Sequence, residues 1–275
     1  YYRLPTRIIN MKVHLFSMLC LDEDEHPDLN LYRHFIDHYR DLGIGSESFN
    51  IIPCGVDTYR ENFEDFKEIN KQNNIQTLNL ISKKYDIWEA HKIYLNWCTT
   101  VDGEDWVTMP DPDEFNDYGH FDKIQNCINF LEENNYEALR GELMDRIAKD
   151  LGLNKVRYPD NLFAQFPVRA NITKHILQAT WEKLLLCKVK VKFPPGHHDI
   201  IWKNETGDDD NKYQAQATPR PTPGVYNSDF KAFHFKWTEP LLHRLNNTKH
   251  ENLYKQFTQD RERTESIITG NKFNI

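Results

Sequence analysis

Cysteine, long apolar runs and positive charge are all in short supply in this chain of 275 residues. The five cysteines, Cys20, Cys54, Cys98, Cys127 and Cys187, form no C-x-x-C pair. That argues against a zinc site and a full disulfide framework, and most are expected to be buried free thiols. No stretch of eighteen consecutive apolar residues occurs, so no membrane span is expected. Acidic residues outnumber basic ones by 42 to 34, a net charge of -8. No broad cationic surface follows from that balance, and nucleic acid is not an expected partner. The first residues, Tyr1-Tyr2-Arg3-Leu4-Pro5, show neither a signal pattern nor a transit-peptide composition, so the chain reads as a trimmed one. A cytoplasmic setting is expected. The alternative is the lumenal domain of a secretory-pathway enzyme without its anchor, where sequons at Asn171, Asn204 and Asn246 would matter.

What the chain does have is ample core-forming material, 39% hydrophobic and 13% aromatic, patterned as alternating strands and helices. Residues 11–21 form an apolar run of strand length, and 28–42 place Leu31, Phe35, Tyr39 and Leu42 at helical spacing before Gly43. The alternation continues with a strand at 49–52, a charged helix at 59–73, a strand at 75–81 and a helix at 86–101. Beyond lie a short strand ending at Asp111, a helix at 121–131 and a strand-like stretch at 136–147. A strand pair is expected over 187–202 and another strand over 229–237. The segment 203–229, with GDDDN and ATPRPTPG, reads as a long mobile loop. Residues 1–10 read as an N-terminal extension, and no repeat or low-complexity stretch marks a second domain. The pattern predicts one α/β domain over 1–275, with a mainly parallel sheet flanked by helices and ligands at the carboxyl ends of its strands.

The most informative residues are Trp106-Val107-Thr108-Met109-Pro110-Asp111-Pro112-Asp113-Glu114-Phe115, an apolar strand that stops at a cluster of carboxylates. A D-x-D pair at a strand end can direct two hard oxygen ligands toward one point, where a divalent cation would meet a diphosphate. The competing reading is a solvated polar turn, with Pro110 and Pro112 breaking the strand. An EF-hand fails, because Phe115 and Asn116 fall where a ligand and a glycine are required.

In this order, several patches resemble family-2-like and family-92-like glycosyltransferases. MLCLDEDE followed by LYRHFIDHYRDLGIGSESFNII looks like their opening, and WVTMPDPDEF like their W-V-x-x-x-D-x-D-E-F element. LRGELMDRIAKDLG resembles a later segment with an Asp-Arg pair, and the GHH and HFKW stretches resemble C-terminal motifs. The chain is also similar to glycosyltransferases of large algal viruses. The resemblance implies a GT-A (Rossmann-like) fold, a nucleoside-diphosphate-sugar donor and Mn²⁺ or Mg²⁺. The donor would be a UDP-sugar, with a pentose such as xylose or a deoxysugar as options, and the acceptor a glycan or glycoconjugate hydroxyl. The chain departs from the family after strand two, where Pro53-Cys54-Gly55-Val56-Asp57-Thr58 replaces the common D-N-x-S-x-D. Asp57 is the nearest candidate for the nucleotide contact there.

Roles follow from the chemistry. Asp113 is the first choice as direct metal ligand, and Asp111 is placed to reach the metal, a metal-bound water or the ribose. Mn²⁺ also tolerates imidazole, and Gly196-His197-His198 is the best source, with His197 as third ligand. His234, in the alternating F-H-F-K-W, reads rather as a hydrogen-bonded core histidine. An inverting enzyme, the expected outcome, needs a base, for which Asp145 comes first and Glu142 second. Arg146 could equally hold Asp145 in a salt bridge. Lys83, Lys84 and Lys92 are cationic candidates for the diphosphate, with Lys92 foremost. Trp237 and Tyr226 read as core more readily than as acceptor platforms, and His34 and His38 as a polar helix face. Two rival functions share the acidic site. A nucleotidyltransferase or sugar-phosphate enzyme would usually show a glycine-rich loop near the first strand, and residues 19–27 have none. The other rival is a carbohydrate- or calcium-binding module without turnover.

Overall fold

The first strand and the first helix form where the spacing predicts them. In the computed structural model, which describes residues 11–21, 27–55, 60–77, 87–177, 179–193 and 224–241, β1 (Val13–Cys20) leads to α1 (Leu29–Asp41). The helix starts at Asp28, whose carboxylate accepts from the amides of Asn30 and Leu31. That satisfies two N–H groups that have no partner within the helix. It stops at Gly43, whose φ of +97° a side chain would oppose. Next come β2 (Phe49–Cys54), α2 (Arg60–Gln72), α3 (Ile87–Cys98) and β3 (Trp106–Thr108). Of the strand expected over 75–81, Ile75 and Gln76 are not in a strand, Thr77 bridges Ile51, and 78–81 lie outside the described residues.

The second half holds β4 (Glu114–Asp117), α4 (Ile124–Glu133) and β5 (Ala138–Ile147). After these come α5 (Leu162–Gln165), β6 (Val168–Ala170), α6 (Ile172–His175), β7 (Glu182–Lys188) and β8 (Val225–His234). The boundaries of the last two strands differ most from expectation. The strand expected to begin at 187 ends at Lys188, and the last strand begins at Val225, inside the expected loop. The remainder of that loop, 203–223, lies outside the described residues, as do 1–10.

All eight strands join one sheet, in the order β2-β1-β3-β7-β5-β8-β4, with β6 pairing β5. The expected parallel arrangement holds for β1 with β2 and β3, and again for β5 with β8. The pairs β3·β7, β5·β7, β4·β8 and β5·β6 are antiparallel. The sheet is thus mixed, an α/β architecture with helices on both faces. Alternation along β1 sends Leu15 and Leu19 to one face, with Phe35 of α1, Phe66 of α2 and Leu131 of α4. Phe16 goes to the other, against Tyr94 and Trp97 of α3. No helix among the described residues is long and apolar enough to cross a membrane.

The parallel register sets Cys20 opposite Cys54 with Cα atoms 4.7 Å apart, and the two form a disulfide. The sequence offered no spacing signal for it, because the pair arises from neighbouring strand ends. Cys98, Cys127 and Cys187 are free, but only Cys127 and Cys187 are buried, fewer than the majority of buried free thiols expected.

Candidate active site

The carboxylates after β3 are set by a tight turn. Asp111-Pro112-Asp113-Glu114 closes with the Glu114 amide donating to the Asp111 carbonyl at 2.8 Å, and Pro112 supplies the fixed φ suited to the turn's second position. The Glu114 carboxylate accepts from the Asp111 amide at 2.9 Å. Ser17 on β1 donates to the Pro110 carbonyl at 2.7 Å, and the Phe235 amide donates to the Asp113 carbonyl at 2.8 Å. Both flanks of the turn are therefore tied to the sheet, which limits where the two aspartates can point.

The strand order brings a histidine to this turn. β8 lies between β4 and β5, pairing His234 with Glu114 on one side and with Asp145 on the other. The His234 Nδ1 lies 3.1 Å from Asp145 Oδ1, and its Nε2 faces Asp113 Oδ2 at 3.6 Å. The second separation exceeds hydrogen-bonding distance. Asp145 is fully buried and also accepts from the Thr173 amide (2.7 Å), the Thr173 hydroxyl (2.9 Å) and the Trp237 indole (3.0 Å). Burial works to raise Asp145, but the His234 imidazole and these donors hold it below the usual carboxylate range. Burial likewise works to lower His234. Asp113 and then Asp145 outweigh it and bring the imidazole up to about 10.

Beside this row stands Lys183 on β7, a buried ammonium 2.8 Å from Glu114 and 3.0 Å from Asp111. Burial opposes its charge, but the two carboxylates keep Lys183 protonated and raise its pKa. Burial raises Glu114 to about 7 despite Lys183. Asp111, with 55% of its side chain exposed, is the part of this cluster open to solvent. Thus Asp111 leans toward a cation of the protein itself, while Asp113 faces an imidazole.

The residues singled out in the sequence separate into those the fold brings together and those it does not. Asp111, Asp113 and Asp145 converge around Lys183 and His234. Glu142 stands three positions from Asp145 on an unbulged stretch of β5, hence on the opposite face, and its carboxylate meets Lys231 at 2.6 Å. Lys92 is exposed on α3. Asp57, Lys83, Lys84 and His197 lie outside the described residues. Arg146 makes no salt bridge with Asp145, because adjacent strand residues face opposite ways. Instead its guanidinium stacks on Phe163 and Phe233. Trp237 and Tyr226 serve in packing: Trp237 is fully buried, and Tyr226 sits among Phe130, Tyr136 and Phe230. His38 and His34 direct Nε2 to the carbonyls of Asn116 (2.9 Å) and Arg157 (3.0 Å), as a polar helix face would. Sequence reasoning passed over Lys183, since a lysine at the start of a strand reads as solvated.

Among the described residues no three His, Cys, Asp or Glu side chains converge as a complete metal cage. What the turn offers is one carboxylate and one oriented imidazole, an oxygen-and-nitrogen pair better suited to Mn²⁺ than to Mg²⁺.

No protein-family model matches the chain, and no curated protein matches it in sequence. Among solved structures it is similar to S. aureus TarS, with 9% identity over 96% of this chain and 44% of that one, at a TM-score of 0.38. This chain therefore spans less than half the length of that protein. It is also similar to mouse xyloside xylosyltransferase 1 (10% identity, 66% of this chain and 68% of that one, TM-score 0.26). A third is UDP-glucose pyrophosphorylase complexed with UDP-glucose (11% identity, 50% of this chain and 58% of that one, TM-score 0.28). Likenesses at this level carry no functional weight, and the functional reading rests on the site itself.

Proposed function

We propose that the protein is a metal-dependent glycosyltransferase that moves a sugar from a nucleoside-diphosphate-sugar to a hydroxyl of a glycan acceptor. The observation that carries the reading is the row Asp113, His234, Asp145. Asp145 accepts from the Nδ1–H and leaves Nε2 directed at the Asp113 carboxylate, so a cation that displaced the Nε2 proton would meet an imidazole already aimed by the carboxylate behind it. In this reading Asp113 and His234 hold a divalent cation, with Mn²⁺ favoured over Mg²⁺. When bound, the cation neutralises the diphosphate as a leaving group. Two protein ligands would suit such a role if donor phosphate oxygens and water supplied the remaining ligands. Lys183 holds Asp111 at the mouth, where its exposed carboxylate can meet a ribose hydroxyl or a bound water.

Asp145 takes a positioning role here in place of the base role its Asp-Arg pair suggested. A carboxylate with no solvent exposure and several donors already aimed at it is poorly placed to accept a proton from an acceptor sugar. Glu142, on the other face with Lys231, is no better placed. Donor sugar, acceptor and stereochemical outcome enter as open choices for a screen.

The test is thermal stability with UDP and a panel of UDP-sugars, pentoses and deoxysugars included, each with and without Mn²⁺ or Mg²⁺. A ligand that binds only the folded state raises the melting temperature. Stabilisation by nucleotide that requires the cation, with slow release of UDP from one UDP-sugar, supports the reading. Formation of UTP and a sugar 1-phosphate from a UDP-sugar on addition of inorganic pyrophosphate would instead favour a nucleotidyltransferase, and stabilisation by Ca²⁺ alone a binding module.

A further inference from the structure

The faces of β5 and β8 turned away from His234 carry a second charged arrangement that the proposed transfer does not use. Arg146 on β5 and Arg169 on β6 are paired in register on neighbouring antiparallel strands, which directs both side chains to one face. Both guanidinium groups lie over the same ring, that of Phe233, at 5.4 and 5.3 Å, and Arg146 also lies 5.2 Å from Phe163. Arg146 is 4% exposed, its Nε is buried without a hydrogen-bond partner, and among the described residues its donated bond goes from Nη2 to the Phe163 carbonyl at 3.3 Å. Arg169 is exposed. No carboxylate pairs with either arginine among the described residues.

Two like charges side by side, one of them buried, are costly unless an opposite charge joins them. Burial lowers the Arg146 pKa, and the nearby Arg169 lowers it further. The aromatic rings offset part of the cost by cation–π attraction but leave the buried Nε–H of Arg146 without an acceptor. A guanidinium with one N–H lacking an acceptor, beside the exposed guanidinium of Arg169, fits a group presenting two oxygens.

We propose that Arg146 and Arg169 form a binding site for an oxyanion, a phosphate or a carboxylate, with Arg169 at the entrance and Arg146 beneath it. The site stands apart from the Asp113 and His234 pair on the opposite face of the sheet, and it does not rest on the transferase reading.

Isothermal titration of the full chain, without metal or nucleotide, tests it. The probes are inorganic phosphate and glucuronate, each against chloride at equal ionic strength. Saturable binding of either probe is expected, phosphate pointing to a phosphorylated ligand and glucuronate to an acidic sugar. Arg169→Met, at an exposed position, should weaken that binding at least fivefold. Arg146→Lys, which keeps the charge but loses the fork, should do the same with the circular dichroism spectrum unchanged. Absence of saturable binding for both probes, or less than a fivefold loss in Arg169→Met, would overturn the proposal.

Discussion

The parallel strands β1, β2 and β3 bury Leu15, Phe16, Ile51, Ile52, Trp106 and Val107, and their one buried ionisable side chain is His14, paired with Asp105 at 3.1 Å. The mixed strands β7, β5, β8 and β4 bury Lys183, Arg140, Asp145, Arg146, His234 and Glu114 within the same sheet. Desolvating a charge costs several kcal/mol, and a charge pair regains it only with good geometry and further hydrogen bonds. A region that keeps so many buried charges is a poor source of stability and a good candidate for chemistry. The comparison assigns stability to the parallel half and ligand handling to the mixed half, and substitutions can separate the two.

The largest effect is expected in the parallel half. Phe16 of β1 is buried there against Tyr94 and Trp97 of α3, so Phe16→Ala should cost about 3–5 kcal/mol in denaturant unfolding. Mn²⁺ affinity of the molecules that remain folded should not change. Weakened metal binding alongside lost stability would break the division. Next comes Asp113→Asn, which should lower turnover by about 10²-fold or more, ~2.7 kcal/mol, while the melting temperature stays near wild type. Activity above about a tenth of wild type at saturating Mn²⁺ would remove Asp113 from the metal.

A smaller change is expected for Asp145→Asn. If the residue orients His234, Mn²⁺ affinity should fall by about 10–100-fold, the usual cost of losing a carboxylate behind a metal-bound histidine. Some stability should be lost as well, because Thr173 and Trp237 donate to the same carboxylate. Normal Mn²⁺ affinity with turnover lowered 10²-fold would return Asp145 to the role of base.

The smallest effect is expected where the halves meet, at His38, which bonds the Asn116 carbonyl of β4. Burial lowers the His38 pKa below its ordinary value of 6.5. The unfolded chain therefore binds the proton more readily, and stability should decline as pH falls through about 6.5. The decline between pH 7 and 5 should be shallower in His38→Gln. Parallel curves for the two proteins would show that another group sets the slope.

Legibility in the sequence follows the same division. Helix α1 was readable because its signals are local: the Asp28 cap, the spacing of Leu31, Phe35 and Tyr39, and Gly43 at the stop. The turn at Asp111 was readable for the same reason, with Pro112 and the carboxylates adjacent in sequence. His234 could be placed on a strand but not in a site, because its meeting with Asp145 spans 89 residues and depends on β8 inserting between β4 and β5. Lys183 gave no signal at all, since nothing in Trp181-Glu182-Lys183 distinguishes a buried lysine from a solvated one. The burial of Asp145, the candidate base, was not legible, since the packing of α6 and Trp237 around the strand creates it.

The central claim, that Asp113 and His234 share one cation, is tested most directly by pulsed electron paramagnetic resonance of Mn²⁺ bound with UDP. The account predicts a nitrogen coupling that shifts on ¹⁵N labelling of histidine and disappears in His234→Gln. Bound Mn²⁺ with no histidine coupling in the wild-type protein, or a coupling that persists in His234→Gln, would contradict it, and in the second case His197 would be the next residue to change.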